Sequence, residues 1–566
     1  MTLPALATIS DPAEAPLSPA AKQLHAGQDH YAGGRFAQAI AAFSRGIELA
    51  RVHGAPSEMI SELHAKLGNA CMVAGDLELA SDSYRAALNL APHRTSCWCN
   101  LGTIHLKSGR AQDAITLYLE ALKLNPAHWA SRSNLAEALI ATRQFLIAKA
   151  LLSELSEERP LDGQIRHRLG RACFELNETQ SALEHFQQAV AIDANDADSL
   201  YWIGGVSQKL GDLDAASGAY ARAARIRPLI RRPAACSPAD FRLLALHAPF
   251  AGNTPADYLF RDAAYDVDTL ALLGKDEPDA AALGNIDLVV NLISDADQAA
   301  AELPQACRLV EKLGVCVVND PGRIRCTTRD AVATLLPGIA VCRIPKILRL
   351  DAGTEVSVAS LSAMMPFSCP VLARPAGTHG GDDFEKFDDL AALSDFLKTR
   401  HGEDHYIIEY VDYASPDGHF RKHRFIFVGQ EILPYHLAIG DGWKVHHVST
   451  DMANQPWMQQ EEAAFLANPG AVFSASHYEA LRELRGRIGL DYFGIDCALD
   501  KCGDLLVFEV NVSMLVHDDN AEFPYKDPHV RAIKAAFDAM LRARAGRLSP
   551  SPGRGECAAS TCDQGR

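Results

Sequence analysis

A step of 34 residues runs through the N-terminal part of the chain. Small residues recur at Gly68, Gly102, Ala136, Gly170 and Gly204, and a second small column at Ala80, Ala114, Ala148, Ala182 and Ala216. The same step links the bulky residues Tyr84, Tyr118, Leu152, Phe186 and Tyr220, and the prolines Pro92, Pro126, Pro160 and Pro228, with Ala194 in the one gap. Four columns in phase mean one structural unit copied several times. A unit this short cannot bury its apolar face alone, so each copy must stack on the next. A further copy with Gly27, Ala39 and Phe43 lies 41 residues upstream, which predicts about seven extra residues in a helix or loop near ARVHGAP.

These columns resemble the tetratricopeptide repeat, in which small residues let two antiparallel helices approach and a large residue plugs the next pair. The resemblance covers residues 20–230 in about six copies. It implies an all-α superhelix whose concave surface binds a peptide or protein, with a spacer or dimerisation arm as the plainer reading. Asn100, Asn134 and Arg168 repeat at the same step and suggest one polar side chain per repeat on a shared groove.

Beyond the repeats, composition narrows the field. The 566 residues carry a formal charge of -17, which argues against a broad phosphate-backbone footprint and against nucleic acid as a partner. No apolar run reaches the length of a membrane span, and the first residues lack the basic start and apolar core of a signal peptide, so a cytoplasmic location is expected. Fourteen cysteines fall without any Cys-x-x-Cys pair, which suits reduced, mostly buried thiols. Cys97 and Cys99, on either side of Trp98, read as packing.

After Pro228 the connector IRPLIRRPAACSPAD ends the last helix. Asp287–Ile293 reads as a buried strand, Gln305–Lys312 as a helix and Gly314–Val318 as a second strand, which predicts a parallel α/β unit. A turn is expected at Asp320-Pro321-Gly322, with a helix capped near Thr328. PVLARP (370–375) is a strand running into the Gly-rich AGTHGGDDF, whose amides could close over phosphate oxygens, although no GK[ST] ending makes it a P-loop. HYIIEYV is another strand. FRKHRFIFVGQEIL reads as a strand with Arg424 near its start and a turn at Gly429.

The last strands lie in GIDCALDKCGDLLVFEVN (494–511). Ile495–Leu499 and Leu505–Val510 are apolar and β-rich around a turn-like DKCGD, so they form a hairpin. Asp496 sits on its first strand, and Glu509 and Asn511 sit two apart on the second. Three oxygen donors of this kind suit a hard cation such as Mg²⁺, completed by water and substrate phosphate. A surface hairpin with solvated acids is the alternative, but Glu509 interrupts an apolar run where a solvated acid has little reason to be.

In order, these features resemble the ATP-grasp superfamily of ATP-dependent ligases over roughly Asp287 to Leu541, and the rest follows from that resemblance. It implies an α/β lead-in domain at 231–345 and an α+β ATP-grasp domain at 346–545; by composition the chain opens on a flexible segment at 1–19, before the repeats, and ends in a disordered tail at 546–566. Arg374 stands where many relatives have a phosphate-binding lysine, and Thr378, His379, Gly380 and Gly381 would form a flap over the phosphates. Glu409, Tyr410 and Val411 match the strand that meets adenine and ribose. Arg424 matches an arginine poised for the γ-phosphate or an acyl phosphate, and Asp496, Glu509 and Asn511 match the ligands of Mg²⁺ or Mn²⁺. His517, with Ser513 in the same loop, falls where relatives contact substrate. His436, Trp443, Lys444, His446 and His447 are candidates for an acceptor pocket, or else structural. The implied activity is ligation of a carboxylate to an amine through an acyl phosphate. A kinase of the same superfamily and a non-catalytic ATP-binding scaffold are the alternatives.

Overall fold

The computed structural model describes residues 17–273, 280–378, 383–445 and 450–546. His379, Gly380 and Gly381 of the expected flap, His446, His447, and the tail from 547 lie outside the described residues. The chain divides into two compact units, Met1–Ala223 and Ala224–Arg566.

The first unit is all-α among the described residues. Its helices form six antiparallel pairs: α1 (Pro19–Ala32) with α2 (Phe36–Val52), α3 (Ser57–Ala74) with α4 (Leu77–Leu90), and α5 (Thr95–Lys107) with α6 (Ala111–Leu124). Then come α7 (Trp129–Ala141) with α8 (Phe145–Glu158), α9 (Gly163–Glu175) with α10 (Thr179–Ile192), and α11 (Ala197–Lys209) with α12 (Leu213–Ile226). The helices start where the sequence supplies caps: Asp76, Asp162 and Asp196 each accept a backbone N–H from the first turn that follows. The extra residues near ARVHGAP lengthen helices, giving α2 17 residues and α3 18.

The small and bulky columns meet inside each pair. A Cβ placed on Gly102 would lie 2.7 Å from the ring of Tyr118, and the same holds within 3 Å for Gly27 with Phe43, Gly68 with Tyr84, Gly170 with Phe186 and Gly204 with Tyr220. Ala136 replaces glycine in the one pair whose bulky residue is Leu152. A side chain on the first helix is thus tolerated only where the ring on the second is absent.

The expected groove residues are bonded within the array. Asn100 Nδ2 donates to Asn69 Oδ1 at 3.0 Å, Asn134 Nδ2 to Thr103 Oγ1 at 3.2 Å, and Arg168 Nε lies 3.0 Å from Glu137. Each reaches back to the preceding repeat, so this column is a ladder that fixes repeat to repeat, and its groups are engaged within the array.

The second unit holds three sheets. The first is built from β1 (Ile230–Arg232), β2 (Arg242–His247), β3 (Asp266–Ala271), β4 (Leu288–Asn291) and β5 (Val317–Val318), in the order β1-β3-β2-β4-β5. All neighbours but β1 and β3 pair parallel, and α13 (Leu303–Leu313) crosses from β4 to β5. Near-continuous apolar strands such as LVVN are what a sheet covered on both faces requires. Asp320-Pro321-Gly322, expected as a turn, opens the short helix α14 (Pro321–Ile324), because Asp320 accepts from Gly322 N at 2.8 Å and proline is at home in a first helical turn. α15 (Arg329–Leu335) follows Thr328.

The second sheet has the order β7-β10-β8-β9, from β7 (Ile347–Leu350), β8 (Val371–Pro375), β9 (Glu385–Phe387) and β10 (His405–Glu409). It packs against α16 (Val358–Met364) and α17 (Leu390–Thr399) through Leu361, Val371, Leu393 and Ile407. The third, β12-β11-β13-β14-β6, joins β11 (Phe420–Val428), β12 (Glu431–Gly440), β13 (Tyr492–Leu499) and β14 (Leu505–Asn511) to β6 (Cys342–Arg343). FRKHRFIFVGQEIL is therefore most of a hairpin, and Arg424 lies mid-strand in β11. Phe425, Phe427 and Phe493 bury one face against α18 (Pro456–Ala467) and α19 (Ala475–Ile488), while Ile426, Val428 and Tyr492 bury the other against α20 (Asp527–Arg544). Residues of the first sheet belong to both cores, so 231–345 and 346–545 share packing. Of the twelve described cysteines five are buried, five half-buried and two exposed, and none is in a disulfide, so burial is less general than the composition suggested.

Candidate functional site

Alternation along β11 decides which basic residues matter. Lys422 and Arg424 share one face; Arg421 and His423 share the other. Arg421 is taken up by Asp417 and Glu461, at 2.8 and 2.5 Å, and His423 is buried between Phe465 and Phe473. Lys422 and Arg424 instead line a cleft between the second and third sheets.

The third-sheet wall is set by register. Arg424 pairs with Asp496 across β11 and β13, Asp496 with Glu509 across β13 and β14, and Gly494 with Asn511. A bulge in β14 at Phe508 breaks the alternation, so that Phe508 and Glu509, adjacent in sequence, both line the cleft. Asp496, Glu509 and Asn511 are thus brought together. Two like charges directly opposite would repel. Here cations intervene: Arg424 binds Asp496 in bidentate fashion, Nε to Oδ1 at 2.6 Å and Nη2 to Oδ2 at 2.9 Å, and Lys422 Nζ lies 3.1 Å from Oδ2. Arg329 Nη2 donates to Glu509 Oε2 at 2.5 Å. Burial alone would push the Asp496 carboxyl up, but Arg424 and Lys422 more than offset it and hold it well below the usual range. Burial and the neighbouring Asp496 raise the Glu509 carboxyl, and Arg329, with Lys422 and Arg374, outweighs them to leave it lowered.

The opposite wall comes from the second sheet. Leu372 and Arg374 project two apart from β8, and Ile408, paired with Leu372, projects beside them from β10. Arg374 is buried; its Nε and Nη2 donate to Thr378 Oγ1 at 3.1 and 3.0 Å, and it lies over the Phe384 ring. The guanidinium and Thr378 therefore form one unit at the start of the expected flap. Glu409 ends β10 with Oε1 3.1 Å from Arg343 and Oε2 accepting from Lys346 N at 3.0 Å. Tyr410 and Val411 continue along the cleft, with Tyr413, Trp443 and Phe508 beside them. Tyr410 and Trp443 meet edge to face at 6.2 Å.

The cleft is therefore polarised. One end is largely apolar and aromatic, with Glu409 and Lys444 among its lining; the other gathers Arg329, Arg374, Lys422 and Arg424 around two carboxylates and an amide. Among the described residues no three His, Cys, Asp or Glu side chains cluster for a metal; the oxygen donors gathered here are Asp496, engaged by Arg424 and Lys422, Glu509, engaged by Arg329, and the Asn511 amide.

His517 stands apart from this cleft. It lines a second pocket with Arg424, Tyr435, His436 and Lys526. The segment beyond Asn511 folds back so closely over β13 that a Cβ on Gly494 would lie 2.5 Å from Met514 Cγ, and Ser513 Oγ meets Ser294 Oγ at 2.5 Å. Trp443 and Lys444 line the main cleft, and His436 the second pocket. Arg329, Tyr413, Phe508 and Lys526 were not singled out by sequence. Arg329 and Lys526 carry no local mark.

Comparison with known proteins bears on the first unit. Tetratricopeptide-repeat family models match residues 24–95, 105–173 and 170–211. The N-terminal region is a tetratricopeptide-repeat array. The cell division cycle protein 27 homolog of Caenorhabditis elegans is 27% identical over 191 residues, which is 34% of this chain and 23% of that protein. The chain thus matches under a quarter of that relative's length. Among solved structures, YrrB, described as a TPR protein with an unusual peptide-binding site, is 20% identical over 33% of this chain and 93% of its own, at a TM-score of 0.28. Pseudomonas aeruginosa pilF is 18% identical over 37% and 92%, at 0.32. No described helix is long and apolar enough to cross a membrane.

Proposed function

We propose that the second unit is an ATP-dependent ligase that joins a carboxylate to an amine, and that the repeats recruit a peptide or protein as substrate or regulator. The polarity of the cleft carries this reading: an apolar, aromatic slot beside Glu409, Tyr410 and Val411 suits a purine, and the four cations at the other end suit its polyphosphate. The ATP-grasp resemblance of the sequence points the same way. The oxygen donors Asp496, Glu509 and Asn511 would hold Mg²⁺ or Mn²⁺, whose charge would neutralise the phosphates.

The chain's own residues then have defined work. Arg374 and Thr378 close on the phosphates from one wall. Lys422 and Arg424 offset the charge that accumulates as the acid's carboxylate oxygen bonds to the γ-phosphorus and the β,γ-bridging oxygen leaves with ADP. Attack by an amine forms the C–N bond, breaks the acyl C–O bond and releases phosphate. An arginine in place of lysine at 374 still neutralises phosphate, with a planar fork instead of a point charge.

One observation favours a second reading, a scaffold that binds ATP without turnover. Asp496 is already clamped by Arg424 and Lys422, an arrangement that serves stability without any metal. Phosphate release and product mass, measured with Mg-ATP and pools of carboxylic acids and amines, test the choice. An amide formed with one phosphate per ADP supports the ligase. ADP with a phosphorylated hydroxyl and no free phosphate would replace it by a kinase, and binding without turnover by the scaffold.

A further inference from the structure

Behind Arg424 lies a pocket whose chemistry differs from that of the cleft. Arg424, Lys526, His436, His517, Tyr435 and Asn520 line it, and among the described residues no carboxylate does, in a chain of net charge -17. The negative charge that anchors this wall is set beneath it. Glu462 is fully buried and accepts from Leu437 N at 3.1 Å and Tyr525 Oη at 2.7 Å, while His436 Nδ1 and Lys526 Nζ lie 2.5 and 3.0 Å from its Oε1. Lys526 Nζ also stands 2.9 Å from His436 Nδ1. Glu462 thus fixes the lysine and the imidazole at the pocket wall without itself lining it.

Arg424 belongs to both the pocket and the cleft. Its Nε and Nη2 are committed to Asp496, and its positive charge adds to that of Lys526 in a small space. Burial and this field both push the Lys526 ammonium toward its neutral form, outweighing Glu462. An anion between the two cations would relieve that strain. His517 also lines the pocket, and its Nδ1 is buried with no hydrogen-bond partner in the structure. The volume of about 90 Å³ suits a small molecule and is too little to enclose a peptide.

We infer that this pocket takes a small dicarboxylic acid, with one carboxylate on Arg424 at the edge of the cleft and the other on Lys526. The inference rests on the nucleotide reading of the cleft and names the acid that the ligase would activate. A monoacid meets Arg424 alone; a second carboxylate would also meet Lys526 on the pocket side, beyond its ion pair with Glu462. Lys526 is then the residue that selects the acid. It acts from the segment before α20, outside the nucleotide cleft.

Calorimetry on the full-length protein tests this, with succinate, glutarate, L-aspartate, butyrate and trialanine as probes, each with and without Mg-ADP. The expected result is dicarboxylate binding at least tenfold tighter than butyrate and no binding of trialanine. Lys526→Met should remove that preference, Lys526→Arg should restore it, and Mg-ATP binding should persist in both. His517→Ala, which leaves the Glu462 cluster intact, should weaken the dicarboxylates severalfold and so guards against misfolding of the lysine variant. Equal binding of butyrate and succinate, or a dicarboxylate preference that survives Lys526→Met, would overturn the inference. Dicarboxylate binding in a protein that binds no Mg-ATP would overturn the nucleotide reading and leave the pocket's selectivity standing.

Discussion

Arg424 and Asp496 face each other across β11 and β13 and are joined by two parallel hydrogen bonds, of 2.6 and 2.9 Å. The pair spans two proposed roles, since the arginine would meet phosphate and the aspartate a cation. Asp496 is fully buried and also holds Lys422 at 3.1 Å, so one carboxylate balances two positive charges. Asp496→Asn keeps the shape and removes that balance. Breaking a buried pair from one side costs about 3–5 kcal/mol, so the variant should melt well below wild type. Its Mg-dependent gain in ATP affinity should fall at least tenfold, while metal-free ATP binding holds or tightens because Arg424 and Lys422 are released. Calorimetry with Mg²⁺ and with a chelator reads both; an unchanged Mg-dependence would take Asp496 out of the cation site.

The apolar end of the cleft can be tested by itself. Trp443 lines it and meets Tyr410 edge to face. An aromatic group against a base contributes about 1–3 kcal/mol, so Trp443→Ala should weaken ATP by roughly tenfold or more. Tripolyphosphate, which has no base, should bind the variant as it binds wild type. A parallel loss of both would place Trp443 in the architecture of the cleft and not in contact with a base.

His423 predicts a pH dependence. It is buried among Phe465 and Phe473, and burial, with Arg421 and His436 adding to it, lowers its pKa to about 3. An unfolded histidine titrates near 6.5, so between about pH 6.5 and 3 the unfolded chain binds a proton that the folded chain does not. Stability must therefore fall as pH drops through that window. His436, lowered to about 4 chiefly by burial, adds to the same slope, and Glu462, held at about 2 against burial by His436 and Lys526, extends it below pH 4.5. His423→Leu removes one titration and a buried Nδ1 with no partner. Its melting temperature should gain on wild type at pH 5 relative to pH 8, and a constant difference across that range would count against the buried neutral imidazole.

The repeats were legible because a 34-residue period is a direct copy of the packing unit, with Gly102 and Tyr118 written into it. The hairpin carrying Asp496 and Glu509 was legible for a similar reason, since β-rich runs flank a turn. What the periodicity hid was partnership. Asn100 and Asn134 occupy a repeated column, but only stacked neighbours reveal that they bond to Asn69 and Thr103. The bulge at Phe508 has no sequence mark, and strict alternation would turn Phe508 away from the cleft that it lines. Arg329 and Lys526 reach their sites from segments about 180 and 64 residues distant from Glu509 and Glu462, through folding alone. The pocket behind Arg424 was thus out of reach until the sheets were assembled.

The fit of Gly102 against Tyr118 gives the sharpest test of the repeat packing. A Cβ on Gly102 would lie 2.7 Å from the ring, so Gly102→Ala must push the ring or the helix aside, at about 1–3 kcal/mol. Tyr118→Leu alone leaves a void beside the glycine and costs a similar amount. The chain already contains the combination Ala136 with Leu152 at the equivalent positions of the next repeat, and both are fully buried there. The double variant Gly102→Ala/Tyr118→Leu should therefore be more stable than the two single costs added together, by about 1 kcal/mol or more in a denaturant cycle. Simple additivity would show that ring and glycine are independent and that the alternation of glycine with aromatic and alanine with leucine has another origin.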